Sequence, residues 1–473
     1  FMYINLSNGK LLKVRLEKRV LTRLIMTCVV LHHGMCGSLL PTRKLKRSKT
    51  RVFRLDSVLI SPAKVINMDK KGFSNILIGI IVAIVLMGAG GAFLITKRLG
   101  VQKDHYFDDI ANLPSCGDKK EFFTTLPIAL DSFATIDPRG LLSPTAHTFP
   151  APHLYFRMEK KTPLYAPANM TIVRIDIIQA TNRPEIIDDA AILFGLCSEF
   201  KVYFDHVIDL TPKLKKAFDE AKVDRCDEYT LTYKDGPVDW KKCNKKVNLR
   251  VSEGELIGYA GGSEQAPIPI LDLGAYDLRI KPNNYASPKR QFRSELLYNV
   301  CPLDYFQEPL AGQLNEKLGG FSEFGHSNTS TKSPTCGKVI QDIPGTAKGN
   351  WFAPNIDTAF SGHEPPHLAL VQTHIDQSLQ AFSNGDSTQK SNLEMGLYYF
   401  TPTQSGFINL DFSQVKPDGN VYCYETSNTY NKYEQKVIII QLKDSETLKI
   451  EGREAISCGS GPWEFKNPTE FER

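Results

Sequence analysis

The sequence predicts a mainly β protein, with a single transmembrane helix followed by a β-sheet domain and then a second β-barrel or β-sandwich domain. Three observations predict it. Ile76 to Ile95 reads ILIGIIVAIVLMGAGGAFLI, without a charge and flanked by Lys70, Lys71, Lys97 and Arg98. From Pro163 onward the chain breaks into short β-rich runs separated by Gly, Pro and Asn. Ten cysteines are present, and the eight after the apolar run form no CxxC pair.

Twenty residues of helix rise about 30 Å, the hydrocarbon thickness of a bilayer, and the run shows no polar stripe. We therefore expect a helix over 73–97 crossing the membrane once. Residues 1–71 carry 16 Lys and Arg against 3 acidic residues, so a basic head precedes an acidic body within a total formal charge of +5. The positive-inside rule then places the head in the cytoplasm and the remainder outside. Residues 1–67 form a basic N-terminal tail or an upstream artefact, because Met68 opens MDKKGFSNILIG, which looks like a natural start. The widely spaced cysteines argue for disulfides in an oxidising compartment, Cys226 with Cys243 and Cys423 with Cys458 being the local candidates. Localisation is thus expected at the cell membrane, single-pass, with both β domains extracytoplasmic.

Residues 100–145 read as a lead-in. The first β domain is expected over 146–310, with strands at Leu164–Ala166, Thr171–Ile178, Ala191–Leu196, Lys201–Ile208, Leu249–Val251, Glu255–Tyr259 and Leu271–Ile280. One helix, Pro212 to Val223, has Leu214, Ala217, Phe218 and Ala221 at helical spacing. It opens an insertion, 212–248, whose lysines suggest a cationic patch for an anionic wall polymer or an envelope protein. Residues 311–335, rich in Gly, Ser and Thr, read as a linker. The C-terminal domain, 336–473, has clear pieces at 396–400, 406–412, 420–424, 436–442 and 447–451. The apolar run Val437 to Ile440 suggests a strand covered on both faces. His363, His367 and His374 do not form a helical metal pair, since Pro365 and Pro366 interrupt the spacing. Tyr398, Tyr399, Tyr422, Tyr424, Trp351 and Trp463 read as core rather than as a sugar-stacking surface.

Five segments in order resemble lysostaphin-type zinc endopeptidases, which carry a duplicated hybrid motif. They are LeuTyrAlaProAla at 164–168 with ThrIleVal at 171–173, ValTyrPheAspHis at 202–206, SerGluGlyGluLeuIleGlyTyrAlaGly at 252–261, LeuAspLeu at 271–273 and ProLeuAspTyrPhe at 302–306. The resemblance spans about 147–306. It implies a zinc held by two histidines and a carboxylate, with a further histidine assisting. Carried over, His206 matches the assisting histidine and Asp272 stands where the second metal-binding histidine belongs. His147 and His153 are six apart rather than four, with no Asp in the second place, so the implied metal set is His147, His153 and Asp272.

These departures favour a non-catalytic copy of the domain, without a cofactor, acting as a cell-envelope binding or scaffolding module. The alternative is a zinc-dependent metallopeptidase acting on cell-wall peptides, and a third reading is a structural surface or adhesion protein. No phosphate-binding glycine loop, nucleotide motif or serine elbow is present, and no nucleic-acid partner is expected.

Overall fold

A computed structural model describes residues 107–473 apart from 145, 234–235, 263–268, 288–289, 291–293, 322–329, 333–334, 357–363 and 429–434. It also describes the backbone of two strands near the start, β1 (Met2–Asn5) and β2 (Leu11–Val14), which pair antiparallel. The apolar run 76–95, the Met68 start and His363 lie outside the described residues. Among the described residues no helix is long and apolar enough to cross a membrane.

The first β unit is built on one antiparallel sheet. Its strands are β3 (Phe133–Asp137), β4 (His153–Met158), β5 (Thr162–Tyr165), β6 (Met170–Ala180), β7 (Asp189–Cys197), β8 (Phe200–Ile208), β9 (Val223–Tyr233), β10 (Gly236–Val251), β11 (Leu256–Ala260), β12 (Ile270–Asp277) and β13 (Asn299–Val300). The order across the sheet is β3-β4-β12-β8-β7-β6-β10-β9, with β11 joining β5 to β8 and β13 lying beside β12. One face is a dry core: Leu154, Phe156, Phe204, Leu271 and Leu273 are buried there together. Strict alternation in His-Leu-Tyr-Phe (153–156) and Leu-Asp-Leu-Gly (271–274) sends the polar members to the other face.

The expected helix is present as α1 (Pro212–Glu220), with Pro at its first turn and Leu214 buried. The rest of the insertion is a long hairpin, β9 and β10, in which Cys226 and Cys243 stand directly opposite and form a disulfide. Its lysines are largely neutralised: Lys213, Lys216, Lys241, Lys242 and Lys246 pair with Glu255, Glu220, Glu228, Asp176 and Asp109. Lys245 lies over the Phe218 ring at 4.3 Å.

The described part of the stretch read as a linker, 310–321 and 330–332, holds regular structure. It has a short helix, α2 (Leu310–Glu316), and two paired strands, β14 (Gly319–Phe321) and β15 (Ser330–Lys332).

The second β unit is an antiparallel meander of eight strands: β16 (Gly349–Trp351), β17 (Leu368–Gln372), β18 (Gln380–Asn384), β19 (Gly396–Phe400), β20 (Tyr422–Asn428), β21 (Gln435–Asp444), β22 (Thr447–Arg453) and β23 (Thr469–Glu472). Phe352 and Glu472 exchange both backbone bonds at 2.8 Å, so the sheet is nearly closed into a barrel. Ile438 and Ile440 face the barrel interior, while Val437 and Ile439 face outward against the Cys423–Cys458 disulfide. Trp351 is fully buried, its indole N–H donates to the Ala347 carbonyl, and the Arg473 guanidinium lies 3.9 Å from its ring centroid. Tyr398, Tyr399, Tyr422 and Tyr424 are buried as well. The 406–412 stretch, expected as a strand, is instead a series of turns tied to Thr403 and Cys423 by isolated bridges. Gly406 at a φ of 91° starts that departure from extended backbone.

Because Trp351 fills the barrel interior and carries two polar attachments, Trp351→Ala is expected to cost about 3–5 kcal/mol in chemical denaturation.

Candidate active site

The polar face of the first sheet assembles by register. His153 and Tyr203 both stand opposite Gly274, and Tyr155 and Asp205 both stand opposite Asp272. Directly paired residues of antiparallel strands share a face. The result is two rows of three, His153–Gly274–Tyr203 and Tyr155–Asp272–Asp205, across β4, β12 and β8.

Gly274 makes the first row possible. A Cβ there would lie 2.1 Å from the Tyr203 ring and 2.6 Å from its hydroxyl, so the missing side chain is the space through which Tyr203 crosses β12. The hydroxyl thereby reaches His153 Nδ1 at 2.7 Å. That contact leaves His153 Nε2 turned toward Asp272 Oδ2, 3.2 Å away.

His206 follows Asp205 and in a regular strand would face the core. Its backbone instead takes a φ of 65°, the left-handed region that costs a non-glycine residue about 1 kcal/mol or more. The turn brings His206 Nε2 to 3.6 Å from the same Asp272 oxygen and Nδ1 to 2.8 Å from Asp189 Oδ2. The backbone N–H of His206 donates to Asp205 Oδ1 at 2.9 Å. His147 comes from the connection between β3 and β4. Its ring sits edge-on to His153 with centroids 5.2 Å apart, and 6.4 Å from Tyr155.

The four residues singled out in the sequence, His147, His153, Asp272 and His206, therefore lie in one cluster. Asp189, Asp205, Tyr155, Tyr203 and Gly274 complete it, and sequence reasoning missed all five. The alternation in 202–205 and 271–274 was the available signal, since it puts Tyr203 and Asp205 on the face of Asp272. Asp189 carried no signal, because it enters the cluster only through the unusual backbone of His206.

Asp272 is 2% exposed and His153 6%, whereas the His206 side chain is about one-third open. Burial pushes the Asp272 carboxyl up to about 8, against the pull of His206 and with the added repulsion of Asp205 and Asp189. Burial alone would lower His206, but Asp272, the hydrogen bond and charge of Asp189, and Asp205 outweigh it and lift the imidazole to about 10. Asp189 is raised by burial, with the His206 hydrogen bond opposing. Asp272 and Asp189 thus both face the His206 ring. Asp272 Oδ1 and the Tyr155 hydroxyl are buried without a hydrogen-bond partner among the described residues.

Two ligands of one tetrahedral zinc lie about 3.4 Å apart. His153 Nε2 and Asp272 Oδ2 are 3.2 Å apart, but the donor atoms of His147, His153 and Asp272 do not all come within 4.8 Å of one another, so the implied metal set stands wider than a single ion would hold it. The remote nitrogen of both His153 and His206 is held by Tyr203 and Asp189, the outer support that ligating or reacting imidazoles need. One donor atom each of Asp189, Asp205 and His206 does lie within 4.8 Å of the others, but Asp189 and Asp205 already bond His206. Cys116, Cys197 and Glu199 form a comparable group, yet the two cysteines are a disulfide and Glu199 caps the Cys116 N–H.

No family model matches this chain, and no curated protein matches it. Among solved structures it is similar to a zinc-containing peptidase from Vibrio cholerae, with 12% identity and a TM-score of 0.21 over 34% of this chain and 38% of that one. It is also similar to Helicobacter pylori Csd3, with 13% identity and a TM-score of 0.20 over 40% of this chain and 34% of that one. The chain thus spans little more than a third of either structure, and the functional reading rests on the side-chain geometry.

Two outcomes follow. Gly274→Ala is expected to expel Tyr203 from its place beside His153 and to destabilise the fold by about 1–3 kcal/mol, read by thermal unfolding. Asp272 and His206 both hold protons more tightly folded than unfolded, so each favours the folded state less as pH rises. Stability of the metal-free chain should fall between about pH 4 and 10, with both groups contributing between about 6.5 and 8. Asp272→Asn should flatten the lower part of that profile in unfolding measurements made at successive pH values.

Proposed function

We propose that this chain is a metal-dependent peptide hydrolase of lysostaphin type, with wall peptides as its substrate class. The observation that carries the reading is the convergence of His153 and His206, from separate strands, on one buried oxygen of Asp272, with His147 beside them. His147, His153 and Asp272 are of the types zinc takes, two imidazoles and a carboxylate, and their donors would have to draw closer than they stand to hold one. When bound, such an ion polarises a carbonyl and makes water a stronger acid.

The remaining work falls to the protein. His206, whose side chain is about one-third open, exchanges a proton at Nε2 while Asp189 holds its Nδ1 and fixes the ring. Tyr203 orients His153, and the Tyr155 hydroxyl is a donor on the same face for charge that develops on the substrate oxygen.

A second reading, a non-catalytic envelope-binding module, is favoured by one observation: Asp272 and His153 are nearly sealed, and the buried carboxylate already has imidazoles on two sides. The placement outside the cytoplasm is supported by four disulfides, Cys116–Cys197, Cys226–Cys243, Cys301–Cys336 and Cys423–Cys458. Anchoring by residues 76–95 belongs to the same proposal.

Zinc titration of the metal-free chain decides between the readings. One ion per chain is expected, lost in His153→Ala or Asp272→Ala, with about one proton released per ion at pH 7 and fewer at pH 9, because Asp272 starts protonated at the lower pH. His206→Ala should keep the ion and lose about 10²–10⁴-fold in hydrolysis of peptidoglycan peptides. A chain that binds no zinc would leave the binding-module reading.

A further inference from the structure

We propose that β9 is a docking edge for a second copy of this chain, the two β9 strands pairing antiparallel about Tyr229 to form a two-fold dimer. The pairing needs no ion at the candidate active site.

β9 is the edge strand of the first sheet: β10 lies beside it and no strand follows. Which of its backbone groups face outward is fixed by the hairpin. Cys226 and Cys243 stand opposite with Cα atoms 4.1 Å apart. That is close to the spacing of a non-hydrogen-bonded antiparallel pair, about 4.5 Å, rather than of a bonded one, about 5.5 Å. The two kinds alternate along a hairpin, so Glu228, Thr230 and Thr232 are non-bonded toward β10 as well. Pro237, which has no N–H to donate, is accordingly the residue opposite Thr232. The N–H and C=O groups of 226, 228, 230 and 232 therefore point away from β10. Among the described residues, none of them bonds to the backbone of another element.

An open edge is normally blunted by charge, by proline or by a covering element. On β9 the charges are confined to the first half, where Asp224, Arg225, Asp227 and Glu228 lie, Arg225 pairing with Asp227 and Lys241 of β10 with Glu228. The second half, Tyr229-Thr-Leu-Thr-Tyr233, has no charge and consists of strand-forming residues. Tyr229 is 41% exposed.

A second β9 complements this edge in one register. Residues 226, 228, 230 and 232 are symmetric about 229, so pairing about Tyr229 engages all four on both copies, 228 with 230 of the second copy and 226 with 232. No like charges then oppose one another, since Asp227 falls opposite position 231 and Arg225 opposite position 233. Centring on Asp227 or Glu228 would instead set that carboxylate against itself. The two Tyr229 side chains meet as a non-hydrogen-bonded aromatic pair, the closest kind of cross-strand neighbour. The interface is isologous, as a closed two-fold dimer requires. Its axis stands perpendicular to the sheet. Tyr229 shares the face of Trp240, and in-register pairs carry that face across Lys246, Arg174 and Leu193 to Tyr203, so the two candidate sites open on the same side of the dimer.

The test is light scattering after size exclusion of the full chain, in mild detergent because of the apolar run 76–95. The protein mass is expected to move from one chain to two as concentration rises. Thr230→Pro removes an N–H that faces away from β10, and Tyr229→Lys sets two like charges across the axis. Each is expected to weaken association at least about tenfold with an unchanged circular dichroism spectrum. Tyr229→Cys should form, on oxidation, a disulfide between copies that mass spectrometry maps to residue 229, because directly opposed residues of a non-bonded pair lie within disulfide reach. A one-chain mass for the wild type at every concentration would overturn the proposal. So would a two-chain mass undiminished in both Thr230→Pro and Tyr229→Lys, since association would then use another surface, or the absence of a cross-link at residue 229. Should Thr230→Pro fail to fold, Tyr229→Lys, a change at a partly exposed side chain, carries the comparison.

Discussion

The structure around the site depends on one buried acid, the Asp272 carboxyl, in the middle of a β-sheet with Asp205 and Asp189 close by. An isolated buried carboxylate is strongly disfavoured, so it must be neutralised, paired or given a cation. Each unusual feature nearby meets that need. His206 adopts a left-handed backbone to bring a cationic ring within 3.6 Å. His153 is held by Tyr203, and Tyr203 can cross to it only because residue 274 has no side chain. The strain of the first and the lost side chain of the second are local costs that the well-packed opposite face, with Leu154, Phe204 and Leu273 buried in one core, can sustain.

The two β units contribute differently. The first places chemistry by strand register, which fixes side chains two residues apart on a common face. The second contributes a rigid apolar surface, built on a core in which Trp351, Phe382 and Tyr424 are fully buried. The loop between β3 and β4, which carries His147, packs on that surface through Leu142 and Phe149.

Much of the fold was legible because it follows from short-range chemistry. The alternation of 271–274, the apolar run 437–440 and the helical spacing of Leu214, Ala217 and Phe218 each reflect which faces are covered, and the corresponding elements formed near their expected bounds. The strand β4 was not expected, although it bears His153, because its apolar and polar positions occupy only six residues beside a proline-rich loop. The 406–412 stretch has strand-forming residues but is bent by Gly406 and by Asn409, which also sits at positive φ. The lysines of the insertion suggested a cationic surface; their partners, Asp109, Asp176 and Glu255, are distant in sequence and only the packed sheet brings them near.

By itself the sequence determined the β-rich class, and it offered Cys226–Cys243 and Cys423–Cys458 as candidate pairs and His147, His153, His206 and Asp272 as candidate site residues, because all of these depend on local pattern or on residue identity. Tertiary structure decided that His147, His153, Asp272 and His206 occupy one cluster, that Asp189 and Tyr203 hold the imidazoles, and that the loop of His147 packs on the barrel. Those relations are set by strand register and by the left-handed backbone at His206. Register depends on the summed packing of many residues far apart in the chain, so no single stretch of sequence displays it.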